Sequence, residues 1–149
     1  MQYPSIKFIF AGTDIPSNLS VANKFSNITL LDATNTPEDI YRISDLCVLA
    51  SIYGEGFPNV ISESLSCGTL CAVTDSGDSF SMVNSFGFRI DGYDWKSITD
   101  SILEAYSIWK SDNDYYNNLA LYAASNNSFN SINDMVGLYL KEWDHVCCK

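Results

Sequence analysis

Two glutamates, Glu55 and Glu63, lie in a short stretch whose other residues are typical of a phosphate-binding loop. Glu55 stands between Gly54 and Gly56, and Glu63 follows the predicted helix entry Phe57-Pro58-Asn59, with seven residues between the two acids. A helix N-terminus offers N–H groups and the positive end of its dipole to a phosphate, while carboxylates accept hydrogen bonds from sugar hydroxyls. The spacing therefore predicts an anion site accompanied by two acceptors for hydroxyl groups.

Each acid is expected to meet a different part of one ligand. Glu63 falls on the second turn of the predicted helix, where its carboxylate can accept two hydrogen bonds from a vicinal diol such as a ribose. Glu55 precedes the helix on a pliable loop and can contact a second group a sugar-sized distance away. Between them, backbone N–H groups would hold a phosphate, so the stretch describes a nucleotide-sugar site. These N–H groups are those of Phe57, Asn59 and Val60.

A simpler interpretation of the two acids stays open at this point, because an acid in the first turns of a helix is an ordinary partner of the helix dipole. The surrounding pattern favours a functional site. The strand-like run Leu46–Ala50 precedes the glycine loop, and Gly68 ends the helix before a new apolar run, Leu70–Val73. Strand, glycine loop, helix and strand in this order are typical of α/β proteins that bind phosphate at a helix N-terminus.

Short apolar runs alternate with helical periodicity along the chain, which predicts an α/β fold with a Rossmann-like, doubly wound parallel sheet and C-terminal helices. Ligands of such sheets bind beyond the carboxyl ends of the strands, where two glycine loops, around Gly54 and Gly77, are expected to lie. The predicted strands are Ile6–Ala11, Ile28–Leu31, Leu46–Ala50, Leu70–Val73 and Gly87–Ile90. The predicted helices are about Asn18–Phe25, Pro37–Ser44, Pro58–Cys67, a turn or two near Phe80, Trp95–Trp109, Asp112–Ala124 and Ile132–Val146.

Helical spacing also predicts which side chains face the core. The helix after Pro37 is expected to turn Ile40, Tyr41 and Ile43 inward. The helix that carries Glu63 is expected to bury the stripe Val60, Ile61, Ser64, Leu65 and Cys67. The long helix from Trp95 is amphipathic, with an apolar stripe that begins at Trp95.

Composition limits the partners and the compartment. The 149 residues carry 18 acidic and eight basic side chains, a net charge of −10 that disfavours nucleic acid and makes membrane contact unexpected. The chain has neither a signal-peptide pattern nor an apolar run long enough to span a bilayer. Its five cysteines are odd in number and indicate a reducing compartment. We therefore expect a cytoplasmic protein.

The residues around the two acids closely resemble the retaining glycosyltransferases of family 4, the group 1 enzymes with the GT-B fold and the E-x7-E motif. The resemblance lies in Ser44–Ser51, Gly54–Val60 and Glu63–Gly68. Val73–Ser79 is similar to the next loop of members that act in bacterial surface-polysaccharide synthesis, and Gly92-Tyr93-Asp94 before an amphipathic helix also fits the family. The resemblance covers nearly the whole chain and implies the second half of a GT-B fold.

The resemblance implies a role for each part of the motif. Glu63 would bind the nucleotide ribose, Glu55 would contact the donor sugar near the reacting carbon, and the backbone from Gly56 to Val60 would hold the distal phosphate. The loop at Ala33–Asn35 would contact the base. The reaction would be sugar transfer with retention of configuration, with no bound metal and no cofactor besides the donor. The implied catalytic residue is Glu55, and the implied donor-binding residues are Gly54, Gly56, Phe57, Pro58, Asn59, Val60, Glu63, Thr34 and Asn35.

The chain also departs from the family pattern. We expect residues 1–149 to be one domain, a partial GT-B C-terminal domain, because the N-terminal acceptor domain and the segment that carries the family's diphosphate-binding arginine and lysine are not matched. Arg42 is the one basic residue near the motif in the sequence. The sequence thus leaves three alternatives: the donor half of a transferase, an incomplete nucleotide-sugar-binding module that needs an acceptor domain or partner chain, and an α/β interaction domain whose two acids are accidental.

Overall fold

The computed structural model describes residues 5–13, 22 and 24–127, together with the helical positions 136, 137, 139–141, 143 and 145. The chain divides into two compact units, of which the first is Met1–Pro37 and the second is Glu38–Lys149. That the two form one domain stays a prediction.

The first unit contains a pair of parallel strands, β1 (Phe8–Ala11) and β2 (Ile28–Leu31), in which Phe8 lies opposite Ile28. Both strands were predicted from their apolar runs. The side-chain amide of Asn27, just before β2, donates to the carbonyl oxygen of Ile6 at 2.9 Å and fixes the start of the pair. Most of the helix predicted over about Asn18–Phe25 lies outside the described residues.

The second unit contains a parallel sheet of three strands in the order β3-β4-β5. The strands are β3 (Leu46–Leu49), β4 (Leu70–Thr74) and β5 (Phe88–Ile90). All five residues of the central strand β4 are buried, as expected for a parallel strand that is covered on both faces. Because the strands are parallel, their carboxyl ends share one edge of the sheet, and the loops that follow them lie along that edge.

Within residues 24–127 the structure has five helices. Parallel neighbours need crossover connections, and a helix supplies each one in the second unit. The long helices begin at aspartate N-caps: Asp94 accepts hydrogen bonds from the N–H groups of Lys96 and Ser97, and Asp112 accepts one from that of Tyr115. The helices are α1 (Pro37–Arg42), α2 (Asn59–Ser66), α3 (Ser79–Val83), α4 (Trp95–Ser111) and α5 (Asn113–Asn126).

The last predicted helix, Ile132–Val146, falls mostly outside the described residues. Those of its positions that the structure describes, beginning at Val136, are helical and exposed. Within the described ranges, no helix combines the length and the apolar character that crossing a membrane requires. The described cysteines, Cys47, Cys67 and Cys71, have free thiols.

The core of the second unit lies around β4 and fixes the position of α2. Ile61 and Leu65 of α2 are fully buried, as predicted, together with the strand residues Leu70 and Val73. The helix is also fixed at its end, since Ser64 Oγ donates to the carbonyl oxygen of Thr69 at 3.1 Å. A helix that buries this much apolar surface against a strand has little freedom to shift, so the residues on its outer side are held in place.

Three apolar side chains that were expected to face the core are exposed, so these predictions are wrong. The exposed fraction is 37% for Val60, 73% for Ile43 and 77% for Trp95. Cys67, also assigned to the stripe of α2, is half-buried. Helical periodicity shows which residues share a face, but a face becomes buried only where a neighbouring element covers it.

Candidate functional site

Glu55 lies in the loop between β3 and α2, at the carboxyl edge of the second unit's sheet. Its Oε1 accepts a hydrogen bond from Ser51 Oγ at 2.7 Å, and the side chain is half-buried. Ser51 is itself fixed, because Thr74 Oγ1 at the end of β4 donates to the Ser51 carbonyl oxygen at 2.6 Å. The end of β4 therefore fixes Ser51, and Ser51 in turn orients the Glu55 carboxylate.

The loop after β4 packs directly against the backbone beside Glu55. The N–H of Asp78 donates to the Gly56 carbonyl oxygen at 3.0 Å. Gly77 has a φ of +57°, and a Cβ at this position would overlap the backbone oxygens of Glu55 and Gly56. Only glycine allows both this conformation and this close approach. The prediction that the two glycine loops meet at one edge is confirmed.

A third loop, between β5 and α4, is joined to the same edge. Tyr93 Oη donates to the Asp75 carbonyl oxygen at 2.8 Å, which ties this loop to the one after β4. The next residue, Asp94, caps α4. The hydrogen bonds from the Ser97 and Lys96 N–H groups hold the pKa of the Asp94 carboxyl below its usual value, with that from Ser97 contributing most. Three successive loops thus support one another where a ligand of a parallel sheet is expected.

Glu63 lies on the exposed side of α2, on its second turn, as predicted. Its Oε2 accepts a hydrogen bond from Tyr41 Oη of α1 at 3.2 Å. Burial, and next the charge of Glu63, raise the pKa of the Tyr41 phenol well above its usual value. The phenol therefore stays protonated at neutral pH and acts as the donor in this pair.

The N-terminus of α2 lies between the two acids in the chain. Its N-cap is Pro58, which is buried and extended, with φ −73° and ψ 109°, and no described side chain caps the helix. Proline and the exposed side chains of Asn59 and Val60 leave the first turn accessible. Ile61 N–H bonds to the Pro58 carbonyl oxygen at 3.1 Å, and the N–H groups of Asn59 and Val60 belong to the first turn, where a helix can accept an anion.

The structure places the predicted site residues in two groups. Gly54 to Val60 and Glu63 belong to the second unit, on one loop and the helix that follows it. Thr34 and Asn35 lie between β2 and α1 in the first unit, where Thr34 Oγ1 accepts a hydrogen bond from the Thr36 N–H at 3.1 Å. Their assignment to the base stays a prediction.

Sequence reasoning missed the groups that hold the two acids. Ser51 follows a strand and precedes Glu55 by one helical turn's spacing, which is a weak signal for a local hydrogen bond. No sequence signal joins Thr74 to Ser51 or Tyr41 to Glu63, because 23 and 22 residues separate these pairs. Such contacts depend on the strand register and on helix packing.

Comparison with protein families identifies the chain. The family described as "Glycosyl transferases group 1" matches residues 2–121. The chain belongs to this family. A comparison with curated proteins gave no match. Among the solved structures, the glycosyltransferase from Rickettsia africae ESF-5 is similar, with a TM-score of 0.79 and 19% identity over 96% of this chain.

A second similar structure is the catalytic domain of starch synthase IV from Arabidopsis thaliana, bound to ADP and acarbose, with a TM-score of 0.72 and 14% identity over 97% of this chain. The matches cover 40% of the Rickettsia chain and 32% of the Arabidopsis chain. This group 1 glycosyltransferase domain therefore spans well under half the length of either structure. Its α/β fold with parallel strands is that of GT-B glycosyltransferases, so the predicted fold class is confirmed.

Proposed function

We propose that this chain is the donor-binding domain of a retaining glycosyltransferase of family 4, with Glu55 and Glu63 as the acids of its E-x7-E motif. The enzyme would move a sugar from a nucleotide-diphosphate-sugar to an acceptor. The observation that carries this proposal is the position of Glu55 and Glu63 before and after the N-terminus of α2, which no described side chain caps. Both acids have a fixed carboxylate oxygen, through Ser51 and Tyr41 respectively.

The chemistry assigned to this site follows from its charges. Departure of the nucleoside diphosphate leaves negative charge on its phosphates, and N–H groups at the start of α2 stabilise that charge without proton transfer. Glu63 binds the ribose, and Glu55 orients the donor sugar beside the reacting carbon. We assign no metal and no further cofactor to the site. The ADP bound to the similar starch synthase supports a nucleoside diphosphate as the leaving group in this chain too.

The biological setting is part of the proposal. The similarity of Val73–Ser79 to enzymes of bacterial surface-polysaccharide synthesis supports a role in making such a glycan or a related one in the cytoplasm. In the structure this segment includes the end of β4 and the loop that packs on Glu55 and Gly56. The loop that carries the resemblance is therefore the one that shapes the proposed sugar site.

A titration tests the donor-binding role. Amide chemical shifts of the full chain are followed while ADP, GDP, UDP and the matching nucleotide-sugars are added. Glu63→Ala should lower the affinity for the bare nucleotide by about tenfold or more, since hydrogen bonds to a charged group are lost. Glu55→Ala should lower the affinity for nucleotide-sugars only. Glu104→Ala, an exposed acid on α4, is the matched control and should change neither affinity.

Two outcomes would contradict these assignments. Equal losses for Glu55→Ala and Glu63→Ala with bare nucleotide would show that the two acids do not divide the sugar and the ribose between them. No shift with any nucleotide or nucleotide-sugar would favour the third interpretation, an α/β interaction domain without a donor site.

A catalytically incomplete module is the second candidate, because the chain matches only 40% and 32% of the similar structures. In this form the domain binds the donor weakly and gains turnover when an acceptor domain or partner chain supplies the opposite side of the cleft. Release of nucleotide from a nucleotide-sugar is measured with the purified 149-residue chain and a saccharide acceptor. Full turnover by the chain alone would rule out this candidate.

A further inference from the structure

The tyrosine that holds Glu63 comes from a different part of the fold. Tyr41 lies at the end of α1, and its Oη reaches Glu63 Oε2 on α2 at 3.2 Å. The backbone of Tyr41 is anchored as well, because the buried Thr69 donates through Oγ1 to the Tyr41 carbonyl oxygen at 2.6 Å. The backbone that carries the phenol is thus held by the residue just before β4, independently of Glu63.

The neighbouring cation does not replace this contact. Arg42 pairs with Asp39 on its own helix at 3.8 Å, and both side chains are exposed. Since Tyr41 stays protonated at neutral pH, it offers Glu63 an uncharged hydrogen-bond donor. One oxygen of the Glu63 carboxylate is therefore held by a donor that carries no charge.

A held carboxylate is better suited to a diol than a mobile one. An ionised carboxylate has about four acceptor positions, so one hydrogen bond from Tyr41 leaves enough for both hydroxyls of a vicinal diol. An exposed glutamate that is free to rotate must lose rotamer freedom when it binds, and this loss weakens affinity. The Tyr41 hydroxyl removes part of that loss before the ligand arrives.

We propose that Tyr41 is a positioning residue that orients the Glu63 carboxylate for the 2′ and 3′ hydroxyls and so determines selectivity for a ribonucleotide over a nucleotide without them. This inference rests on the proposed function, in which Glu63 binds the ribose. It adds a residue outside the E-x7-E stretch and a measurable selectivity to that site.

The test compares two ligands that differ only in the diol. The tightest binder among ADP, GDP and UDP is titrated against its 2′,3′-dideoxy counterpart, and the ratio of the two dissociation constants is the selectivity. Tyr41→Phe removes one hydroxyl and keeps the ring. It should lower the selectivity by about threefold to tenfold, the size of one ordinary hydrogen bond, because the variant loses the orientation of Glu63 and keeps the carboxylate itself. Affinity for the dideoxy ligand should stay within about twofold, because that ligand does not use the bond.

Tyr115→Phe is the matched control, because Tyr115 is an exposed tyrosine on α5 and its substitution should leave both affinities unchanged. Thermal unfolding of both variants checks that the fold is kept. Equal weakening of both ligands by Tyr41→Phe would show a purely structural role and overturn the inference, as would an unchanged selectivity.

Glu63→Ala separates this failure from failure of the proposed function. If Glu63→Ala removes the selectivity while Tyr41→Phe leaves it intact, the ribose site stands and the positioning role of Tyr41 is wrong. If the unmodified chain binds both ligands equally, or if Glu63→Ala leaves the selectivity unchanged, the ribose does not bind at Glu63. In that case the proposed role of Glu63 and the inference about Tyr41 both fail.

Discussion

The loop that carries Glu55 and the helix that carries Glu63 hold their acids in different ways. Glu55 is half-buried on a loop whose backbone is held by the Thr74 Oγ1 hydrogen bond to the Ser51 carbonyl oxygen and by the close approach of Gly77. Glu63 is exposed on a helix whose opposite face is packed against the core, and Tyr41 Oη donates to its carboxylate at 3.2 Å. Each carboxylate has one hydroxyl donor, Ser51 Oγ or Tyr41 Oη, but the donor to Glu55 belongs to the same loop, and the donor to Glu63 comes from another helix.

Because of this difference, substitutions near the two acids should have different effects on stability and on ligand binding. A change in the scaffold around Glu55 moves the backbone, and so alters both stability and the proposed sugar contact. A substitution around Glu63 alters the orientation of the carboxylate while α2 stays in place, because the buried side chains of Ile61 and Leu65 pack the helix against the core. Substitutions in the two regions can therefore show whether backbone support and side-chain support are distinct.

Gly77→Ala should have the largest effect. The alanine methyl group would meet the backbone oxygens of Glu55 and Gly56, and the alanine backbone would have to adopt a left-handed conformation. Together these two effects should lower the free energy of unfolding by about 2–4 kcal/mol. Affinity for a nucleotide-sugar should fall more than affinity for the bare nucleotide. Chemical denaturation measures the loss of stability, and titration with the two ligands measures the change in affinity.

Gly68→Ala is the matched control, since Gly68 has a φ of +79° and a Cβ there would meet nothing within 4 Å. It should cost only the conformational term of about 1–2 kcal/mol and leave sugar affinity unchanged. If both variants lose the same stability and the same sugar affinity, the close approach of the two loops is not what fixes Glu55.

Thr74→Val should have the next largest effect on stability. The substitution keeps the shape of a buried side chain but leaves the Ser51 carbonyl oxygen without its 2.6 Å donor, at a cost of about 1–3 kcal/mol. Thr99→Val, at an exposed position on α4, is the control and should change the unfolding free energy little. A loss in Thr74→Val no greater than in Thr99→Val would show that the end of β4 does not support the loop.

Ser51→Ala should act on binding more than on folding. It removes the 2.7 Å donor to Glu55 Oε1, and the affinity for a nucleotide-sugar should fall by about twofold to tenfold while bare nucleotide binds as before. The comparison variant is Ser125→Ala on α5, an exposed serine with a hydrogen bond within its own helix. Equal weakening of both ligands by Ser51→Ala would contradict the separation of the two acids.

The pH dependence of the loop between β5 and α4 should be the smallest effect. The folded state lowers the pKa of Asp94, so its carboxylate stabilises the fold above the unfolded pKa of about 3.9, and this contribution is lost as the pH falls through the folded value. Thermal unfolding of the unmodified chain and Asp94→Asn is compared from about pH 6 to about pH 3. The advantage of the aspartate should shrink with acid, and a constant difference would exclude a role for its charge.

Much of the second unit could be predicted because its signals are local. Two of these signals are the apolar runs of β3 and β4 and the proline and glycine at the two ends of α2. They depend on neighbouring residues, and the structure has each of them. The burial of Ile43, Val60 and Trp95 was predicted wrongly, because exposure depends on which element covers a helix face. Periodicity contains no information about that element.

By itself, the sequence determined the chemical types at the site and their order along the chain: an acid in a glycine loop, a helix entry at proline, and a second acid on the helix's second turn. Only the tertiary structure decided what holds those acids. Tyr41 reaches Glu63 across 22 residues, and Thr74 reaches Ser51 across 23. The parallel register of β3 and β4 brings the second pair together, and the tertiary fold brings the Tyr41 ring to α2. Local propensity fixes an element's ends, but a contact between distant residues exists only when the whole sheet is assembled.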